Sequence, residues 1–216
     1  WETHKFMTSL MGAAYTLKMP KIDKSTLRTM LGLRKYICSQ FKPNAAKVLY
    51  DHYHVRNVLD FSMGWGDRLA GFYASMYTEL YVGLDPRKEN HPIYQKQADY
   101  YTNQLGFFET EKKTKFHCEP AEEFDFDQYE DTFDIIFTSP PYFNVERYSY
   151  DDTQSWVRYK NINQWNKNFL QSSIENMWTS LRSGGKLCVN IADVNASSQG
   201  MTQTGWLKIC DPMNEF

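Results

Sequence analysis

The sequence predicts an α/β fold, a mostly parallel sheet with helices on both faces. Three observations carry this. Short apolar stretches that read as strands alternate with longer stretches whose apolar residues recur at helical spacing. The strand candidates are mostly apolar on both faces, as strands covered from both sides are. The unusual loops, at 60–66, 85–86, 118–122 and 138–143, each follow a strand end. Length and composition agree: 216 residues, 42% hydrophobic and 23% charged, suffice for one globular core. With 14 Phe, 15 Tyr and 6 Trp, a disordered or low-complexity chain is excluded. Apolar runs such as Ile135-Ile136-Phe137 are too short to span a bilayer.

The elements follow in order. Residues 25–53 read as helical through Leu27, Met30, Leu31, Ile37, Ala45, Val48 and Leu49. Phe41-Lys42-Pro43-Asn44 interrupts this run, and Pro43 suits the first turn of a new helix. A strand at 57–61 ends in the small-residue turn Ser62–Gly66, before a helix at about 67–77. A second strand, 80–84, ends at Asp85, and a helix at 92–105 leads to a third strand at 114–118. The fourth strand, 133–137, runs into Thr138-Ser139-Pro140-Pro141-Tyr142. One helix at 163–181 and the turn Ser183-Gly184-Gly185 precede a fifth strand, 186–191. Ligands of such sheets sit beyond the carboxyl ends of the strands, so all four unusual loops are expected on one rim.

Net charge is −2, yet residues 1–50 hold nine bases against two acids. That segment carries +7 and the remainder −9. It reads as a nucleic-acid or membrane contact surface, or as an ordinary solvated helical face. Residues 1–35 are taken as a basic helical arm and 36–216 as the main α/β domain. Cys38, Cys118, Cys188 and Cys210 form no C-x-x-C pair, so neither a disulfide framework nor structural zinc is expected, and a reducing, intracellular setting is. The five histidines form no H-E-x-x-H pattern, and no metal is expected.

Chemistry concentrates in the loops. Gly64 and Gly66 let the backbone turn sharply beside a ligand. The third glycine of the dinucleotide fingerprint is missing, Leu69 standing in its place, and so is the phosphate-loop lysine. A nucleoside cofactor without a pyrophosphate fits better. Asp85 is placed to accept ribose hydroxyls, or to cap the turn before Pro86. Ser139-Pro140-Pro141-Tyr142 is the sharpest signal. Prolines carry no amide hydrogen, so this loop offers acceptors beside an aromatic ring. An exocyclic amino group needs that setting: its lone pair is delocalised, and acceptors on its hydrogens stabilise the positive charge that develops on attack. Residues 143–165 interleave Tyr148, Tyr150, Trp156, Tyr159 and Trp165 with Arg147, Arg158 and Lys160, as an unpaired base and its phosphates would require, or as a core-covering loop would. Residues 119–134 hold eight acids and no base, a solvated surface.

This order of motifs resembles class I S-adenosylmethionine-dependent methyltransferases, over residues 36 to 195. It looks most like the amino-methyltransferases that act on N4 of cytosine or N6 of adenine, whose signature is a strand followed by (Asp/Asn/Ser)-Pro-Pro-(Tyr/Phe/Trp). The resemblance implies a Rossmann-like fold and S-adenosyl-L-methionine as cofactor. It implies contacts to that cofactor from Phe41, Pro43, Asp60, Ser62, Gly64, Gly66 and Asp85. Glu119 lies by the adenine, with Glu122 the alternative register. Ser139, Pro140, Pro141 and Tyr142 form the catalytic loop, with Phe143, Arg147 and Tyr148 toward the substrate. The implied substrate is nucleic acid, DNA ahead of RNA. The alternatives are an RNA base methyltransferase or a catalytically silent nucleic-acid-binding subunit. Where the family often has Asp-Pro-Phe-x-Gly-x-Gly-Thr, this chain has Asp60-Phe-Ser-Met-Gly-Trp-Gly-Asp67, and Asp67 is read as a helix cap. The family's last two strands are not visible, so the sequence reads as a fragment or as continuing further. Target choice then falls to the basic arm, the aromatic loop, or a partner subunit or dimer.

Overall fold

The computed structural model describes residues 4–33, 40–106, 111–195 and 206–215. The chain divides into two compact units, residues 1–41 and 42–216. The arm boundary expected at 35/36 lies outside the described residues. In the first unit, α1 (His4–Thr16) and α2 (Lys24–Leu33) pack through Leu10, Ala13, Met30 and Leu31. Asp23 starts α2 by accepting the amides of Ser25 and Thr26 at 3.0 and 2.9 Å, the side-chain cap that short polar residues supply.

In the second unit, five strands among the described residues form one parallel sheet. They are β1 (Asn57–Asp60), β2 (Leu80–Leu84), β3 (Lys113–His117), β4 (Phe133–Thr138) and β5 (Leu181–Val189), in the order β3-β2-β1-β4-β5. Helices α3 (Pro43–His52), α4 (Asp67–Ala74) and α5 (His91–Thr102) alternate with the early strands. The chain runs outward from β1 to β3, then crosses back to β4 on the other side of β1. That reversal makes the switch point, where loops diverge and leave a crevice. The fold is thus the doubly wound, Rossmann-like α/β architecture the strand and helix alternation predicts.

Burial explains the strand sequences. β4 is buried along its whole length, and Val58, Leu59, Val82, Leu84, Ile135 and Ile136 form the centre of the core. β3 lies at the edge and reads Lys-Thr-Lys-Phe-His, alternating rather than continuously apolar, because one face meets solvent. At the amino end of the sheet, Asp134 Oδ2 accepts the amides of Arg56 and Asn57 at 2.6 and 2.8 Å.

The helix expected over 163–181 is present as one uninterrupted helical run made of α7 (Ile162–Trp165), a π-helical turn (Asn166–Gln171), α8 (Ser172–Met177) and a final 3₁₀ turn, following the short α6 (Ser155–Arg158). The wider π turn carries Asn166, Phe169 and Leu170 into the interior, where Asn166 Nδ2 donates to the Lys208 carbonyl at 3.1 Å. One expectation is corrected, the start of the last strand of the sheet. The fifth strand begins at Leu181, not Lys186. Its pairing jumps from Phe133↔Leu181 to Ile135↔Lys186, so Ser183-Gly184-Gly185 is a bulge inside β5. Beyond β5, two short antiparallel strands, β6 (Val194–Asn195) and β7 (Trp206–Leu207), pair apart from the main sheet, and α9 (Cys210–Met213) follows. Among the described residues no helix is long and apolar enough to cross a membrane.

One buried network joins β1, β2 and α4. Asp60 is 0% exposed and Arg68 is 4% exposed. Arg68 Nε and Nη2 donate to the two Asp60 oxygens at 2.7 and 3.2 Å, and Tyr81 Oη donates to Asp60 Oδ2 at 2.7 Å. Arg68 Nη2 also donates to the Ser62 carbonyl. Removing one partner leaves a buried charge uncompensated. Arg68→Ala is therefore expected to destabilise the chain by about 3–5 kcal/mol, and Asp60→Asn combined with Arg68→Met by much less. Urea unfolding checks this. A loss under about 1 kcal/mol for Arg68→Ala would show that the pair does not hold this region.

Candidate functional site

The carboxyl ends of β1 to β4 meet at one cleft of about 690 Å³, its open mouth included. Phe61, Ser62, Gly64 and Trp65 line it after β1, and Asp85, Pro86 and Arg87 after β2. Pro120, Ala121 and Glu122 follow β3, and Ser139 and Pro141 follow β4. The opposite wall is Tyr148 with Thr153, Gln154 and Ser155.

The first loop owes its shape to bonds from below and from the side. Gly64 and Gly66 take φ of +55° and +81°, a region that side chains disfavour. Gly66 occupies the N-cap of α4, so Asp67 is the first helical residue and makes no side-chain cap, contrary to expectation. Asp85 Oδ2 accepts the Gly64 amide at 3.0 Å, and Oδ1 accepts the Arg87 amide at 2.8 Å. Tyr94 Oη lies 2.5 Å from the Gly64 carbonyl and 3.1 Å from Asp85 Oδ2. Asn90 Nδ2 donates to the same carbonyl at 3.2 Å. The ends of β1 and β2 are thus tied through one carboxylate. Burial pushes the Asp85 carboxyl up, against the pull of the amides and Tyr94 that bond it.

The fourth loop is held from both flanks. Ser139 Oγ donates to the Asn190 carbonyl at 3.2 Å and accepts from Asn190 Nδ2 at 3.1 Å. Asn190 N in turn donates to the Thr138 carbonyl at 2.9 Å. On the other flank Phe143 sits at φ +54°, a conformation that is strained for an aromatic residue. Its amide donates to the Pro141 carbonyl at 3.1 Å, and its ring is 5% exposed, edge-on to Trp165 at 6.2 Å. Core packing of Phe143 sustains the strain, and the strain turns the chain sharply after the two prolines.

Glu122 is the one carboxylate from the loop after β3 that reaches the cleft. Its side chain is 5% exposed, 3.4 Å from Arg158 Nη1, and accepts from Tyr159 Oη at 3.2 Å. Burial pushes its carboxyl above the ordinary value of 4.5, against the pull of Arg158. Trp65 lines the cleft. It is 42% exposed, edge-on to Tyr148 at 6.3 Å, with the Arg87 guanidinium carbon 5.9 Å from its ring centre.

Of the residues singled out from sequence, the cleft brings together Ser62, Gly64, Asp85, Ser139, Pro141 and Tyr148. The others stand elsewhere. Asp60 lies beneath the loop, fully buried, with its oxygens taken by Arg68, Tyr81 and the Ser62 amide, so it shapes the loop from inside. Gly66 caps α4 beside Gln97. Pro43 opens α3, as its fixed φ suits, and its carbonyl lies against Gly71 of α4. Phe41 belongs to the first unit. Glu119 is exposed and off the cleft, which Glu122 lines instead. Pro140 is buried, and Tyr142 packs half-buried against the core with its amide donating to Glu146 Oε2 at 3.2 Å. Phe143 faces the core rather than a substrate. Arg147 sits over Trp156, outside the cleft walls. Sequence reasoning missed Trp65 as a wall, the Thr153–Ser155 wall, and Asn190. Only Trp65 left a signal, as a bulky residue where the resembled family is small.

No family model matches the chain, and no curated protein matches it. Among solved structures it is similar to the YcgJ protein of Bacillus subtilis, at 17% identity over 68% of this chain and 49% of that one, with a TM-score of 0.42. It is similar to the N-methyltransferase NodS of Bradyrhizobium japonicum WM9, at 12% identity over 80% and 77%, with a TM-score of 0.48. It is similar also to an rRNA methylase of Streptococcus thermophilus, at 13% identity over 71% of each chain, with a TM-score of 0.45. The chain spans about half the length of YcgJ.

The raised Glu122 carboxyl yields a prediction with a definite sign. Its proton is held more tightly in the fold than in the unfolded chain, so its contribution to stability is present at low pH. That contribution is lost as pH rises from 4.5 through the raised value. Glu122→Gln mimics the protonated form. Without ligand it is expected to melt above the unsubstituted chain at pH 8, the gap closing toward pH 4. A gap independent of pH would contradict the burial argument.

Proposed function

We propose that this chain transfers a methyl group from S-adenosyl-L-methionine to an exocyclic amino nitrogen of a nucleobase, in DNA ahead of RNA. One observation carries the reading: Ser139 and Pro141 share a single cleft with Gly64, Asp85 and Glu122. An acceptor loop for an amino group and an acceptor set for a nucleoside thus open on the same space. The preference for DNA rests on the Thr138–Tyr142 motif and its resemblance to N4-cytosine enzymes.

The residues suit the cofactor's chemistry. Asp85 offers a carboxylate for ribose hydroxyls, and Glu122 offers one for the adenine amino group. Pro86, Pro120 and Ala121 supply apolar surface for a purine between them. The loop at Gly64 lacks the glycine and lysine that a pyrophosphate would want. When bound, S-adenosylmethionine supplies a methyl group made electrophilic by the adjoining sulfonium. The chain's task is alignment and acceptance. Ser139 Oγ in the cleft wall takes one hydrogen of the target amino group, and the resemblance gives the other to the carbonyl of the buried Pro140, so the nitrogen gathers its lone pair for attack. With the cofactor bound and its methyl passing to nitrogen, its sulfur leaving as a neutral thioether, these acceptors would stabilise the charge developing on nitrogen, and one N–H proton would leave to solvent. Asn190 is a positioning residue here, because it sets the direction of the Ser139 hydroxyl.

Ser139→Ala is expected to lower kcat by roughly tenfold to a hundredfold, about 1.4 kcal/mol per decade, with cofactor affinity unchanged within about twofold. Asp85→Ala is expected to weaken cofactor binding by about tenfold or more. Calorimetry with S-adenosylhomocysteine and mass-spectrometric nucleoside analysis of methylated DNA and RNA check both. Cofactor binding with no methylated nucleoside from either polymer would sink the reading in favour of a silent subunit.

A further inference from the structure

The segment that walls the cleft continues into a surface the methyl-transfer chemistry does not use. Trp156 directly follows Ser155, and its indole Nε1 donates to the Ser149 carbonyl at 3.0 Å. The Arg147 guanidinium carbon lies 5.2 Å from the Trp156 ring centre, and Lys160 Nζ lies 5.9 Å from it. Tyr150, 79% exposed, meets the same indole edge-on at 5.2 Å. Arg147 and Lys160 are themselves exposed.

How each cation is held decides what it can bind. Arg158 is paired with Glu123 at 2.6 Å and with Glu122 at 3.4 Å, so its charge is answered within the fold. Among the described residues, neither Arg147 nor Lys160 makes an ion pair with a carboxylate. An aromatic face attracts a cation through its quadrupole without cancelling its charge. The two cations are therefore positioned by one indole, Arg147 also by its Nε donating to the Asn144 carbonyl at 3.3 Å, and both remain electrostatically available. The acids on the same loop limit the site's size: Asp151 accepts from Ser149 Oγ at 2.5 Å, Glu146 accepts the Tyr142 amide, and Asp152 is exposed. The patch suits one or two phosphates and not a long basic track.

The geometry points to Arg147, Trp156 and Lys160 as a phosphate clamp for a single nucleic-acid strand, with its bases on Tyr148 and Tyr150 and one base entering the cleft past Tyr148. This rests on the nucleobase reading above and adds that the strand arrives unpaired. Phosphates fit the two cations, and exposed tyrosines stack only on bases that a duplex would hide. The shared chemistry is the phosphodiester strand, whether deoxyribose or ribose.

The test is fluorescence anisotropy on the full chain, without cofactor, using labelled single-stranded DNA, single-stranded RNA and duplex DNA across a salt series. Arg147→Gln with Lys160→Gln is expected to weaken single-strand binding by about tenfold or more at low salt. It should flatten the slope of log affinity against log salt by about 1.4, two contacts at roughly 0.7 each. Lys113→Gln, an exposed base at the amino end of β3, should leave the slope unchanged. The exchange Arg147→Lys with Lys160→Arg keeps both charges and should restore most of the affinity. Thermal unfolding verifies that each variant folds. Loss on one polymer and not the other identifies which strand the clamp takes, and still supports it. An unchanged slope in the double variant, or tighter binding of duplex than of single strands, would overturn it. Binding is read apart from turnover. An intact clamp with no methylated product would overturn the methyl-transfer reading alone, and methylation indifferent to the double variant would overturn the clamp alone.

Discussion

The site depends first on a charge pair that never meets solvent. Asp60 ends β1, Arg68 lies in the first turns of α4, and Tyr81 sits in β2. Each would be expensive to bury alone, and together they satisfy one another at hydrogen-bond distance. Because Arg68 also holds the Ser62 carbonyl, the loop between β1 and α4 has one well-defined path. The Gly64 amide and carbonyl are then presented to Asp85, Asn90 and Tyr94. A polar network of this kind adds little net stability over an apolar core, but it rewards a single arrangement.

The same logic recurs across the rim. The prolines of the fourth loop remove donors, Asn190 fixes the Ser139 hydroxyl, and the buried ring of Phe143 sustains a strained backbone angle. Groups that face the cleft are thus set by groups that do not. The parallel sheet places them on one side because every strand points the same way and every strand-to-helix loop leaves from the carboxyl edge. The reversal between β1 and β4 opens the space that these loops surround.

Much of this was legible along the chain. The positions of β1, β2 and β4 followed from continuous apolar runs, because parallel strands covered on both faces have no solvent side to mark with polar residues. Helix α3 was announced by Pro43, and Asp85 by its place at a strand end. The errors have physical causes. Phe143 looked like a substrate contact because sequence adjacency to Tyr142 says nothing about the left-handed turn that sends its ring inward. Glu119 and Glu122 stand three apart in an irregular loop, where no periodicity decides which one faces the cleft. The π turn inside the helix over 163–181 left no signal, because it changes hydrogen bonding without changing residue type. Asn190 left no trace, since its partner is 51 residues away.

The sequence by itself determined the class of fold, the order of the strands along the chain, and the loops in which chemistry would gather. These follow from local preference: apolar runs, prolines and glycines act within a few residues of themselves. Tertiary structure alone decided that Asp60 would be a buried counterion, that Glu122 and not Glu119 would reach the cleft, and that residues 148–155 would close it. It also decided that Arg158 would pair with Glu122 and Glu123 while Arg147 and Lys160 lie beside Trp156 with no carboxylate partner among the described residues. Each of those outcomes depends on which distant group arrives within about 3–6 Å, and only packing sets that distance.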